Sequence, residues 1–147
     1  MNERKIKNIF IEGAITPNFI AESIAKHQNK TDIGAHQIFL GQVRADIIDN
    51  KEVELIEYSC YTDMALNTFH NIRESCFEKF DISCMHIYHS IGKVKKGEIC
   101  LFIFVSSKHR KVAFEACSFL VEEIKTKVPI FGKEVFKNED FKWKVNN

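Results

Sequence analysis

Residues 107–134 read S-K-H-R-K-V-A-F-E-A-C-S-F-L-V-E-E-I-K-T-K-V-P-I-F-G-K-E. Val112, Ala113, Ala116, Leu120 and Ile124 recur at helical spacing, and Cys117 and Phe119 widen the stripe they form. One long amphipathic helix is predicted over 108–128, ended by Pro129. The stretch just before it, Glu98–Ser106, is nearly unbroken apolar sequence (I-C-L-F-I-F-V) and predicts a central buried strand. Past the proline, Ile130–Phe136 and Phe141–Val145 predict two short strands around the turn K-N-E-D.

Working toward the N-terminus, Ile82–Tyr88 predicts a strand covered on both faces, because both of its alternating sets hold apolar groups. Asp63–Phe80 is helical by period, through Met64, Leu66, Phe69, Ile72, Cys76 and Phe77. Glu52–Tyr61 and Gly34–Arg44 predict strands, joined by Ala45–Lys51 as a polar, mobile loop. Thr16-Pro17 starts a helix running to about His27, with Thr as N-cap and Pro at the first helical position. Lys7–Glu12 predicts a first strand. The order is β-α-β-β-α-β-β-α-β-β. Hairpins between helices give an α+β fold with a mainly antiparallel sheet and three main helices.

No linker, repeat or low-complexity tract divides the 147 residues, so a single domain over 1–147 is expected. With 21 basic and 20 acidic residues the net charge is +1. That balance offers no broad footprint for nucleic acid or an anionic membrane, so any anion site must be local. The five cysteines include no C-x-x-C pair, which argues against a metal site and a disulfide framework. Buried free thiols in a reducing cytoplasm are the expectation. No apolar run reaches the roughly 18 residues of a bilayer span, and the N-terminus lacks a signal-peptide core.

Local cations stand out in the long helix. Lys125 flanks the apolar stripe, where an ammonium is costly unless an anion meets it. It reads either as a lysine stabilised by the helix C-terminal dipole or as a functional group. His109 and Arg110 open the helix, either as a solvated first turn or as an anion site built on exposed N–H groups. Sixteen residues of continuous helix put His109 roughly 24 Å from Lys125. The two ends therefore serve different sites, or one site shared across a dimer.

Four motifs in order resemble the large, catalytic subunit of molybdopterin synthase. G-A-H-Q-I-F-L-G-Q-V-R (Gly34–Arg44) is similar to that family's strand ending in G-x-V-R. E-Y-S-C-Y-T-D-M-A (Glu57–Ala65) resembles its E-x-Y-x-x-M region, and H-S-I-G-K-V-K-K-G-E (His89–Glu98) its H-R-I-G-x-x-x-x-G-E loop. The helix and the K-T-x-x-P that closes it complete the set, with a weaker match at Trp143.

The resemblance implies an α/β-hammerhead-type domain and a sulfurtransferase needing no cofactor or metal. The implied reaction inserts two sulfurs into cyclic pyranopterin monophosphate. The sulfur arrives as a thiocarboxylate on the C-terminal Gly-Gly tail of a small ubiquitin-like subunit. A homodimer within a heterotetramer is implied as well. Lys125 falls on the family's catalytic lysine, and Lys133 with Glu134 on a basic-acidic pair. Gln42, Val43, Arg44, His109, Arg110 and Gly132 fall on substrate-site positions.

The chain departs from the pattern where many members read P-x-W-K-K-E. Phe131 replaces the tryptophan, and Gly132 stands where a second functional lysine is found. Either Lys133 moves into that role or activity rests more on Lys125. Ser90 stands where arginine is frequent, and His89 reads as structural. Two other classes are kept open: a binding module that holds a ubiquitin-like tail or an anion without turnover, and a small nucleic-acid binder, which the balanced charge disfavours.

Overall fold

The computed structural model describes residues 8–145. Strand β6 (Ile99–Ser107) lies at its centre, between β2 (Ala35–Gln42) and β5 (Cys84–Lys95), antiparallel to both. Its side chains alternate between faces, and both faces are covered. Phe102 and Phe104 meet Phe19, Ile20 and Ile24 of α1 (Pro17–His27). Leu101, Ile103 and Val105 join the larger core with Phe69, Ile72 and Cys76 of α2 (Thr62–Lys79) and Ala116, Leu120 and Ile124 of α3 (Arg110–Lys127). One layer of helix thus lies on each side of a sheet, and the unbroken apolar run of β6 is its consequence.

The sheet has eight strands, ordered β2-β6-β5-β4-β7-β8 along its main path. Strands β4 (Lys51–Cys60), β7 (Ile130–Phe136) and β8 (Phe141–Trp143) extend it antiparallel. Short β1 (Phe10–Glu12) pairs with β5 in parallel, the one parallel pairing among the described residues. The α+β class, antiparallel sheet and three helices agree with expectation. Thr16 caps α1 as the sequence predicts, its Oγ1 accepting from the Phe19 N–H at 3.2 Å.

Several boundaries need correction. The first strand begins at Phe10; Lys7 lies outside the described residues. Strand β2 stops at Gln42, short of Arg44, and β8 stops at Trp143. Strand β5 runs on to Lys95, so the His89–Glu98 motif is mostly strand. Residues 45–51 are not a loose loop. They contain β3 (Ile47–Ile48), which folds back on β4 through Asp49 and Asn50. Both turn residues take positive φ (51° and 64°), a conformation Asp and Asn tolerate better than most residues.

Five free cysteines are present: Cys76, Cys100 and Cys117 are buried, Cys60 and Cys84 half-buried. No helix among the described residues is long and apolar enough to cross a membrane.

Candidate functional site

The C-terminal half of α3 borders an open space. Between that helix, the end of β2 and strands β4 and β7 opens a groove of about 560 Å³. Val121, Glu122, Lys125 and Thr126 form its helical wall, the one-turn spacing that puts side chains on a common face. Tyr58 and Glu134 stand opposite, with Cys100 between, and Gln42 and Arg44 lie at the β2 lip.

Cys100 reaches the groove through a bulge. Gly41 pairs with Leu101 but Gln42 with Ile99, so Cys100 is an extra residue on β6. An extra residue breaks the alternation and re-aims a side chain. The Cys100 thiol then bonds the Gly41 carbonyl at 3.4 Å.

Lys125 is half-buried at the inner end. Burial holds its ammonium below the usual lysine range; the nearby Cys100 opposes this and the charge of Lys144 adds to it. Tyr58 is pushed the other way, kept protonated first by burial and then by Cys100 and Glu134. His89 lies beneath, 4% exposed, its ring edge-on to Tyr58 at 5.1 Å. Its Nδ1–H donates to the Ser90 carbonyl at 2.7 Å, which leaves Nε2 as the acceptor. Burial pushes its pKa down to about 4, against the Ser90 bond and helped by the Lys125 charge. The imidazole is therefore neutral at physiological pH. A hollow of about 30 Å³ between Tyr58, His89, Lys125 and Lys144 is the size of a single water.

The expected site residues fall in four places. Gln42, Arg44, Lys125 and Glu134 share the groove; Glu134 is buried in its wall, and Arg44 is exposed and ion-paired with Asp46 at 3.3 Å. Val43 is buried in the core behind them, its N–H bonded to the Glu98 carbonyl at 3.0 Å. Lys133 follows Gly132 and precedes Glu134, so alternation turns it to the reverse face of β7. There its amine lies 4.3 Å from the Phe141 ring and 3.9 Å from the Glu57 carboxylate. His109 and Arg110 are exposed at the far end of α3, which is continuous from Arg110 to Lys127. Fifteen residues of helix separate Arg110 from Lys125 by roughly 22 Å.

The cation that does reach the groove beside Lys125 is Lys144, which sequence reading passed over in favour of its neighbour Trp143. The signal available was the alternation F-K-W-K, which places Lys144 and Trp143 on opposite faces.

One further depression, of about 460 Å³, lies between the β3–β4 and β7–β8 turns, where Lys51 and Asp140 pair at 2.8 Å. Lys125 does not line it. His27, Cys84 and His86 form the one cluster of metal-donor type among the described residues. His27 Nδ1–H donates to the Ser23 carbonyl, so its Nε2 accepts from His86 Nε2 at 2.8 Å. Two nitrogens on one tetrahedral zinc are roughly 3.3 Å apart, so the spacing is that of a hydrogen bond.

The family model described as MoaE protein matches residues 15–127. The molybdopterin synthase catalytic subunit of Pyrococcus abyssi is 38% identical over 122 residues, 83% of this chain and 81% of that protein. Its counterpart in Aspergillus fumigatus is 31% identical over 140 residues, 95% of this chain and 73% of that one. Among solved structures, molybdopterin synthase from Staphylococcus aureus shares the fold with a TM-score of 0.80 at 30% identity, covering 92% of this chain and 95% of that one. A complex of subunits 1 and 2 of molybdopterin-converting factor from Helicobacter pylori contains the same fold, with a TM-score of 0.77 at 21% identity over 91% and 87%.

Proposed function

Because the chain belongs to the MoaE protein family, we propose that the groove at Lys125 is the sulfur-transfer site of a molybdopterin synthase catalytic subunit. The family's enzymes are sulfurtransferases of molybdenum cofactor biosynthesis. The observation that carries the proposal is the half-buried ammonium of Lys125 at the inner end of an open groove, in the family's K-T-x-x-P context. Both reactants, a thiocarboxylate and a pterin phosphate, bring negative charge. An ammonium already stripped of part of its water stabilises such charge better than a solvated one. Its lowered pKa also suits it to pass a proton to a leaving group. Arg44 at the lip, exposed beside Asp46, is a planar donor for phosphate. Tyr58, kept protonated chiefly by burial, lines the same groove.

The partner is proposed to be a small ubiquitin-like subunit, its Gly-Gly tail threading the groove as an extended chain. Gly41 at the β2 end offers no side chain to obstruct it. The related Helicobacter pylori protein is recorded in complex with a second subunit.

His109 and Arg110 enter the reading through a homodimer. They cannot reach Lys125 of their own chain, and we place them at the partner protomer's groove. His109→Ala and Lys125→Ala chains, each impaired alone, are then expected to complement when mixed and allowed to exchange. Half of the dimers are mixed and each holds one intact site, so recovery approaches roughly a quarter of wild-type turnover. No recovery, with subunit exchange demonstrated, rejects the shared site. A binding module without turnover predicts capture of the small subunit but no product from the wild-type chain.

A further inference from the structure

We propose that Lys144 is a substrate-contacting cation of the groove, binding the reactants' negative charge jointly with Lys125. The inference rests on the groove being the transfer site.

Lys144 is held there by backbone rather than by chance. Its N–H donates to the Gly132 carbonyl at 2.7 Å, one step beyond the β7–β8 ladder that pairs Lys133 with Trp143. Alternation sends Trp143 and Lys133 to the reverse face and Lys144, with Gly132, into the groove. Its side chain lines both the groove and the small hollow above His89, as do Tyr58 and Lys125. Two ammonium groups converging on one concavity repel each other, and Lys144 indeed holds down the pKa of Lys125. An anion placed between them is stabilised by both charges.

Gly132 makes the room. A Cβ at that position would lie 3.5 Å from the Lys144 Cβ, 3.5 Å from the Tyr58 ring and 3.2 Å from Ile56 Cγ2. A long side chain at 132 would enter the same space that the Lys144 stem fills. A cation can thus be presented to this part of the groove from β7 or from the end of β8, and residue 132 leaves the task to β8. Lys133, on the other face, does not take it up.

The test uses the full chain with four variants: Lys144→Ala, Lys144→Arg, Gly132→Lys, and Gly132→Lys with Lys144→Ala. Two readouts are taken, single-turnover sulfur transfer and calorimetric binding of cyclic pyranopterin monophosphate. Losing one charge-assisted contact is expected to weaken binding about 10- to 100-fold in Lys144→Ala. Lys144→Arg keeps most of the affinity. In the double variant a lysine delivered from position 132, with the Lys144 stem gone, restores affinity and turnover above Lys144→Ala alone. A purely structural Lys144 would not be rescued from a different strand. Gly132→Lys alone crowds Lys144 and binds no better than wild type. Unchanged binding and turnover in Lys144→Ala overturns the proposal while leaving the transfer site standing. A wild-type protein that neither binds the pterin nor turns over overturns both. Thermal unfolding of each variant identifies loss through misfolding. If Lys144→Ala does not fold, the comparison of Lys144→Arg with Gly132→Lys decides, and equal affinity loss in both rejects the role.

Discussion

Lys125→Ala is expected to lower the single-turnover rate of sulfur transfer by about 10²- to 10⁴-fold, the range for loss of a positioned electrostatic or proton-transfer group. The melting temperature should not fall with it. Lys125 lies beside the core stripe of α3, and the buried residues of that helix, Ala113, Ala116, Leu120 and Ile124, do not depend on its amine. Removing a partly desolvated ammonium relieves the cost that lowers its pKa, so stability should hold or rise. Small-subunit binding should persist, because most of a protein interface lies outside one pocket. Separating the three readouts matters. A fall in rate with intact folding and binding places Lys125 in the chemistry, whereas parallel loss of all three makes it a packing residue.

The second large effect is on stability and comes from His89. Its folded pKa of about 4 lies below the ordinary histidine value of 6.5. Between those values the unfolded chain binds a proton that the folded chain refuses. Stability from this group is therefore complete above pH 6.5 and declines as pH falls toward 4. The gap between those two values corresponds to about 3 kcal/mol. Urea unfolding at pH 7, 5.5 and 4.5 should show this decline. His89→Asn keeps a donor for the Ser90 carbonyl but has nothing to titrate, so its decline should be shallower by about that amount. His36 is displaced in the same direction, mainly by burial, and leaves a smaller residual slope. An identical pH dependence in both proteins would remove His89 as the cause. In function the same proton would add a further positive charge beneath Lys125 and Lys144, so turnover should fail on the same side of neutrality.

The long apolar periods made the architecture legible. The run I-C-L-F-I-F-V, short and followed by the helix start, reads as a strand with both faces covered, and the α3 stripe names its own buried residues. Short features were harder, because two or three residues carry no period. The two-residue β3 was hidden in a polar segment, although Asp49-Asn50 is a tight-turn pair. Within the site, Lys125 was visible as a charge on the edge of an apolar stripe. Register separated its neighbours: one residue of offset puts Lys133 behind the sheet and Lys144 in front. The placement of Cys100 depends on a bulge, a break in alternation that sequence pattern does not announce. The distance from His109 to Lys125 was readable from helix rise alone, and the continuous α3 upholds it.

The central claim is that this chain performs sulfur transfer at the Lys125 groove. The most direct measurement is a single turnover of the wild-type protein with thiocarboxylated small subunit and cyclic pyranopterin monophosphate, read by mass. Molybdopterin should appear as the thiocarboxylate is converted to carboxylate, and it should not appear with Lys125→Ala. Capture of the small subunit by the wild-type chain with no molybdopterin formed would contradict the account and leave the groove a binding site.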